Sequence, residues 1–285
     1  MNARLGLLLV CAMLPLDPAR GALSITGGSP TWQTFPTVPL VADWSTAFVD
    51  GYNGSVNTAA QLDAAVELLS AAGVNTALAV TQTRPPSQNN FARWNATNQN
   101  VQIRTGNISF TVLMATLQND TGVNLSSLFV SYEFGGGVFI TEQIPGWRTY
   151  FSLSGTPGSW QNIPALNTTV TGSYSAVIDL GYWSAGSALY LLWADDNAFT
   201  GSDGYYTLDN FSVTDRPVLS IAHPSLHEVE LSWLEAATGY RLESSDRPEG
   251  GVWGPVTEPD EPSGGQHRVR TGAIWEARFY RLVRP

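Results

Sequence analysis

The chain lacks most of the residues that soft-metal binding and polyanion binding require. Of its 285 residues only one is cysteine, Cys11, and it falls in an apolar N-terminal segment. Without that segment the chain has no thiol, which excludes disulfides and thiolate metal sites. Lysine is absent, so all 14 basic residues are arginine, against 24 acidic residues and a net charge of -10. Because nucleic-acid binding depends on clustered basic residues, a nucleic-acid partner is excluded.

Histidine is scarce as well, and its position limits the possible chemistry. The chain has 3 histidines, all located after Asp215, and no nucleophile-elbow motif. This excludes a Ser-His-Asp triad in the larger, N-terminal part. Glu133 and Glu142 could form a glycosidase pair, but they flank one predicted hairpin, and nothing beside them would raise the pKa of either carboxyl. The sequence therefore predicts a protein that is not an enzyme.

The first 21 residues have the pattern of a secretory signal peptide. Arg4 supplies the positive charge, Leu5 to Leu16 is apolar, and Ala19-Arg20-Gly21 places small residues at a cleavage site. The apolar run is shorter than the roughly 20 residues that span a bilayer. We expect a secreted or cell-surface protein without a membrane span after cleavage. Export without disulfides suits a bacterial protein.

Aromatic, β-branched and turn-forming residues dominate the chain after the signal, which predicts an all-β fold. A joint at Arg216-Pro217, where charge and composition change, divides it into domains 22–215 and 216–285. One segment differs: Thr58 to Gly73 carries apolar residues at helical spacing and ends on a glycine that suits a C-cap. We expect this helix to cover an edge or an end of a sandwich. A hairpin over Ser126 to Glu142, closed by Gly135-Gly136-Gly137, is also predicted.

The first domain resembles the jelly-roll, lectin-like domains of secreted bacterial proteins. The resemblance covers roughly Asp43 to Val213 and is carried by Ala42-Asp43-Trp44-Ser45-Thr46, Ala92-Arg93-Trp94-Asn95, Tyr150-Phe151-Ser152-Leu153-Ser154, Leu192-Trp193-Ala194-Asp195-Asp196-Asn197 and Thr207-Leu208-Asp209-Asn210-Phe211. It implies a jelly-roll β-sandwich and leaves the ligand open, because such domains occur in many different exported proteins.

The second domain resembles a small fibronectin type III-like module. The residues behind this are Val229-Glu230-Leu231-Ser232-Trp233, Gly239-Tyr240-Arg241-Leu242-Glu243-Ser244-Ser245 and Arg278-Phe279-Tyr280-Arg281-Leu282. The domain is short for that fold, which allows for a missing strand. The resemblance implies no catalysis.

One acidic loop is the main candidate site. Two apolar segments, predicted to be neighbouring strands, flank a loop with Asp195, Asp196, Asn197 and Asp203. Calcium prefers such carboxylate and amide oxygens, and Asp209 could complete the ligand set. The spacing does not fit an EF-hand. The alternative is an acidic turn whose side chains cap backbone amides. The sequence thus predicts a structural calcium ion at this loop, and an acidic turn without a cation is the alternative.

Three tryptophans are candidates for a sugar-binding platform. Trp147 and Trp160 lie next to glycine and serine in predicted loops, and Trp183 lies between two glycines. Exposed aromatic faces stack on sugar rings, whereas aromatics in a sandwich mostly fill the core. Exposure of these residues would favour a polysaccharide or cell-surface glycan as partner. Burial would favour a structural surface or matrix component, and a glycoside hydrolase or lyase is the third alternative.

Overall fold

In the residues that the structure describes, the regular secondary structure is mostly β-strand, arranged in four sheets. The structure, a computed structural model, describes residues 22–50, 56–87, 90–106, 109–137, 144–196, 204–225, 227–234, 237, 239–263, 266–272 and 277–284. The predicted signal peptide lies outside these residues. No helix in the described ranges is long and apolar enough to cross a membrane.

Two large sheets form the N-terminal sandwich. Sheet A has the order β1–β7–β12–β9–β10, with β3 also beside β7; its strands are β1 (Leu23–Ile25), β3 (Trp44–Asp50), β7 (Ser109–Asn119), β9 (Arg148–Ser152), β10 (Gln161–Asn162) and β12 (Ala188–Asp195). Sheet B has the order β11–β8–β13–β6–β5–β4, with β2 also beside β13; its strands are β2 (Thr31–Gln33), β4 (Ala79–Thr81), β5 (Arg93–Asn95), β6 (Asn100–Ile103), β8 (Leu125–Gly137), β11 (Gly172–Trp183) and β13 (Tyr205–Thr214).

The main strands from β6 onwards alternate between the two sheets. Strands β6, β8, β11 and β13 belong to sheet B, and β7, β9 and β12 belong to sheet A. Apart from the connection between β9 and the short β10, which both belong to sheet A, each connection in this part crosses the sandwich. This is the jelly-roll arrangement that the sequence predicts. Successive side chains on a strand point to opposite faces, so each strand gives every second residue to the core. That core includes Trp44 stacked on Trp193, with 5.6 Å between ring centroids.

The sandwich has a second apolar layer on the outer face of sheet A. Strand β7 sends Leu113 and Ala115 into the central core, while Val112 and Met114 point outward. Helix α1 (Ala59–Glu67) covers this outer face and buries Leu62 and Val66 there, so the prediction that it covers an edge or an end is wrong. Sheet A carries apolar residues on both faces, and the helix removes the outer ones from water.

A partly buried polar contact fixes the helix on the sheet. The Arg148 guanidinium donates to both carboxylate oxygens of Asp63, at 2.8 and 2.9 Å. The buried Tyr150 hydroxyl donates to Asp63 Oδ1 at 2.6 Å. Burial and the neighbouring Asp63 carboxylate raise the pKa of Tyr150, so this hydroxyl stays a donor. Two short 3-10 turns, Ala71–Gly73 and Pro164–Leu166, complete the helical structure of the described residues.

The predicted hairpin over Ser126 to Glu142 is wrong. Strand β8 continues through the glycines and pairs with β13, with Gly135 opposite Thr207. A Cβ at position 135 would lie 2.6 Å from the Thr207 hydroxyl, so glycine permits this close pairing. The run of glycines thus allows β8 and β13 to pair closely and does not form a turn.

The C-terminal segment forms two three-stranded antiparallel sheets. One has the order β14–β15–β18 and the other β17–β16–β19; the strands are β14 (Ser220–Ser225), β15 (Glu228–Leu234), β16 (Arg241–Ser245), β17 (Gly254–Pro255), β18 (Gln266–Gly272) and β19 (Phe279–Val283). Trp233 is buried, as the alternation in β15 predicts. The fibronectin type III resemblance and the boundary at 215 stay predictions.

The C-terminal segment packs on the outer face of sheet B. Phe129 on β8 is 5% exposed and shares one apolar cluster with Leu231 and Trp233. Its ring meets that of Tyr240 edge to face, with centroids 6.5 Å apart. A strand face that would otherwise be exposed to water thus becomes the contact between the two parts of the chain.

Candidate functional site on sheet B

The three tryptophans predicted to bind sugar are buried. Trp147, Trp160 and Trp183 are 0%, 4% and 1% exposed, so the prediction of an exposed platform at these positions is wrong. Trp147 packs edge to face against Phe134 in the central core. The Trp160 Nε1 donates to the Leu69 carbonyl at 2.9 Å beneath the helical layer. The glycine and serine residues near these tryptophans suggested exposed loops. Each indole nevertheless belongs to one of the two apolar clusters of the sandwich.

The first two residues of the predicted acidic loop, Asp195 and Asp196, lie at the end of β12. The loop's flanking strands β12 and β13 belong to opposite sheets, so the prediction that they are neighbours is wrong. Asp195 ends β12, Asp196 follows it, and both side chains are buried. The Thr105 hydroxyl donates to Asp195 Oδ2 at 2.7 Å across the gap between the sheets. Asn197 and Asp203 lie outside the described residues.

Asp209 is not brought to this end of the sandwich. It lies five residues along β13 from Gly204, about 16 Å away at 3.3 Å per residue. Its neighbour Leu208 points into the core, so Asp209 points to the outer face of sheet B. In the part of the chain that the structure describes, no three His, Cys, Asp or Glu side chains are grouped as a metal site.

The outer face of sheet B carries a row of aligned side chains across four strands. Strand pairing places Trp32 opposite Ser212, Ser212 opposite Ser131, and Ser131 opposite Ser175. The hydroxyls of Ser131 and Ser212 are 2.9 Å apart and hydrogen-bonded. Trp32 is 58% exposed, although tryptophan is mostly buried in proteins. We call these four residues the serine row.

The serine row forms the floor of a groove. The groove is a cavity of about 250 Å³ between sheet B and the C-terminal segment. Val218, Trp233, Leu234 and Gln266 provide its C-terminal wall. An exposed indole beside hydroxyl and amide groups combines the apolar surface and the few polar groups that small-ligand sites share.

A polar cluster lies beside the groove, one row further along the same face. Glu133 follows Ser131 at the two-residue period of β8 and pairs directly with Asp209 on β13. Asn210, at a β-bulge with φ of 46°, donates its side-chain amide to Glu133 Oε2 at 2.9 Å. Its backbone N–H donates to Asp209 Oδ1 at 2.7 Å. Burial and the nearby Glu133 carboxylate raise the pKa of Asp209.

Sequence reasoning did not find Trp32 or the serine row. The available signal is the segment Thr31-Trp32-Gln33, in which a tryptophan stands between two polar residues. In a strand that alternation places the indole alone on one face. The serines carry no such signal, because their alignment depends on the pairing of strands distant in sequence.

Comparisons with known proteins leave the family of the chain open. No family model matches the chain, and no curated protein matches it. Among solved structures it is similar to TmCBM61 in complex with beta-1,4-galactotriose, at 12% identity over 47% of this chain and 78% of that chain, with a TM-score of 0.27. It is also similar to the adhesin domain of Epf from Streptococcus pyogenes, at 10% identity over 79% of each chain, with a TM-score of 0.29.

A third similarity is to an enzyme. The beta-1,2-glucanase from Parabacteroides distasonis matches at 12% identity over 64% of this chain and 29% of that chain, with a TM-score of 0.27. Identities and TM-scores this low transfer neither ligand nor activity. The function is therefore argued from the groove.

Proposed function

We propose that the protein is a secreted, non-catalytic glycan-binding protein and that the groove on sheet B is its binding site. The observation that carries this proposal is the exposed Trp32 indole aligned with the hydroxyls of the serine row. The apolar face of an indole stacks on the C–H face of a sugar ring. The serine hydroxyls both donate and accept hydrogen bonds, as sugar hydroxyls do.

The groove suits a sugar better than a purely apolar ligand. Its floor is lined by Ser131, Ser175 and Ser212, and its C-terminal wall adds the Gln266 amide. The Ser131 and Ser212 hydroxyls share one hydrogen bond, and an apolar ligand would strip the remaining donor and acceptor positions of these groups of water, at a cost of about 1–3 kcal/mol for each group left unsatisfied. A sugar restores those bonds through its own hydroxyls.

The decisive experiment compares two exposed aromatics on sheet B. The wild-type chain, Trp32→Ala and Tyr182→Ala are applied to an array of neutral, N-acetylated and acidic oligosaccharides. We expect wild type and Tyr182→Ala to bind the same glycans, because Tyr182 is exposed but does not line the groove. Trp32→Ala should lose about 30-fold or more in affinity, as for a stacking residue at the centre of a site.

The alternative is a structural surface or matrix component without a glycan ligand. The burial of Trp147, Trp160 and Trp183 favours this alternative, because these were the residues predicted to form the sugar-binding platform. It would be accepted if no oligosaccharide on the array bound in a way that depends on Trp32.

We further propose that calcium stabilises the acidic loop. Support comes from the two buried carboxylates, Asp195 and Asp196, which lie next to each other at the end of β12. Carboxylate and amide oxygens are the ligands that calcium prefers, and the predicted ligands Asn197 and Asp203 follow these two residues in the sequence. A thermal melt in calcium should exceed one in chelator by several degrees, and Asp195→Ala should abolish the difference. Coinciding melts of the wild-type chain would contradict calcium binding.

A second candidate function is glycoside hydrolysis, favoured by one specific observation. Glu133 and Asp209 face each other beside the groove, and glycosidases use two carboxyl groups of which one has a raised pKa. Glu133 is exposed and outside the cavity, which is why binding is the preferred proposal. Release of reducing ends from a bound oligosaccharide by wild type, but not by Glu133→Gln, would favour hydrolysis.

A further inference from the structure

The two ends of the groove differ. The Phe129 row (Thr214, Phe129 and Val177, aligned across three strands) lies on one side of the serine row, and Phe129 and Val177 belong to the cluster that docks the C-terminal segment. The row with Glu133 lies on the other side, where that side chain is exposed. The groove is thus closed towards Phe129 and opens towards Glu133.

The closure at Phe129 blocks passage along the face of the sheet. A second cavity lies beyond Phe129, lined by Ser127, Asp179, Tyr240 and Arg284 among others. Phe129 lines both cavities and Val177 lines the second one, and the C-terminal segment packs on both side chains. An extended polymer lying along β8 would collide with this contact.

We propose that the groove accepts the end of a neutral glycan chain, with the terminal sugar against Trp32 and the next sugar over Glu133 and Asn210. This inference rests on the proposed glycan-binding function and adds the ligand class and its direction. The C-terminal segment thereby becomes part of the binding site, because it supplies the closing wall.

The size of the groove agrees with one terminal sugar. Its volume of about 250 Å³ is below the roughly 300–1,000 Å³ of pockets for drug-sized ligands. A single ring fills such a space, whereas two rings require the open surface beside it. That surface starts one row away, about 7 Å along β8, where the Glu133 carboxylate and the Asn210 amide are already joined by a hydrogen bond.

Charge selects against acidic sugars. None of the described residues lining the groove is charged, and the open end carries the Glu133 and Asp209 carboxylates. The chain as a whole has a net charge of -10. A uronate or sulfated chain would approach against this potential with no arginine in the groove to pair with it.

Two residues of the C-terminal wall, Trp233 and Gln266, have different roles. Trp233 is a buried wall residue, and its Nε1 has no hydrogen-bond partner among the described residues and is closed to solvent. We therefore assign Trp233 a packing role. Gln266 is partly exposed and supplies the side-chain amide of this wall. It is the C-terminal residue expected to read the hydroxyls of the terminal sugar.

The test is the binding stoichiometry of the full chain. From the array, the neutral oligosaccharide series that depends on Trp32 is taken in a short, a medium and a long form for calorimetry. A chain-end site predicts one protein per glycan chain at every length. A ratio that rises with length would overturn the proposal while leaving glycan binding intact. Absence of any Trp32-dependent glycan would instead refute the proposed function itself.

A pair of variants tests the C-terminal wall separately. Gln266→Ala should lower affinity for the short oligosaccharide by up to about tenfold, the effect of one hydrogen bond. Gln161→Ala, an exposed glutamine on sheet A, is the matched control and should bind as wild type does. Equal affinity of both variants would refute the role assigned to Gln266 in contacting the terminal sugar. Preferential binding of uronate or sulfated chains would overturn the assignment of a neutral ligand.

Discussion

Phe129→Ala tests whether the two parts of the chain are held together by one aromatic side chain. Phe129 is 5% exposed, so nearly its whole ring leaves water in the folded protein. A buried phenylalanine covers about 150 Å² or more, which at about 25 cal/mol per Å² corresponds to roughly 4 kcal/mol. An alanine would still bury a small part of this area, so we expect the substitution to reduce the free energy of docking by about 3 kcal/mol. A loss of this size changes the docking equilibrium about 100-fold.

Small-angle X-ray scattering and thermal melts measure this docking. We expect Phe129→Ala to increase the radius of gyration and to separate the melt into two transitions, because the sandwich core does not contain Phe129. Phe279→Ala, at a partly exposed position of the C-terminal segment, is the control with the same chemical change. If Phe129→Ala scattered and melted like this control, the C-terminal segment would not depend on the contact, and the closed end of the groove would lose its basis.

Three further predictions concern the sandwich. Asp63→Ala removes the acceptor that fixes the helix to sheet A; with Asp63 partly exposed, we expect a loss of about 1–2 kcal/mol in a urea titration. Gly146→Ala should cost about 3 kcal/mol or more, because its Cβ would lie 1.8 Å from the Thr168 carbonyl oxygen. Gly158→Ala, with a similar positive φ and nothing within 4 Å, should cost much less. Asp209→Asn relieves a like-charge cross-strand pair and should stabilise by about 0.2–1 kcal/mol at pH 7. Because the pKa of Asp209 is raised, its ionised form is the unfavourable one, so the gain should disappear as the pH falls and the wild-type carboxyl is protonated.

The sequence predicts much of the sandwich because its strands obey a local rule. Leu128 to Phe134 and Leu189 to Trp193 are short runs rich in apolar and aromatic residues, which favour strands, and both lie within observed strands. The helix was predictable from the spacing of Leu62 and Val66. Its place on the face of sheet A was not, because that depends on which outward side chains of other strands remain uncovered.

The candidate site was far less predictable than the fold. Trp160 and Trp32 both have polar or small neighbours in sequence, yet one is covered by the helical layer and the other remains exposed. What separates them is the presence or absence of another element above the indole. The same holds for Asp209, which joins Glu133 through strand register and lies far from Asp195, a residue only fourteen positions away.

By itself the sequence determines the all-β class, the absence of cysteine after Cys11, the excess of acidic over basic residues and the exclusion of a histidine-based triad in the larger part. These follow from composition and from alternation along single strands, which are local properties. Only the tertiary structure decides that Trp32, Ser212, Ser131 and Ser175 form one row, and that the C-terminal segment closes the groove above it. The physical reason is that hydrogen-bonded register aligns residues up to 180 positions apart, and no periodicity within one strand specifies its partner.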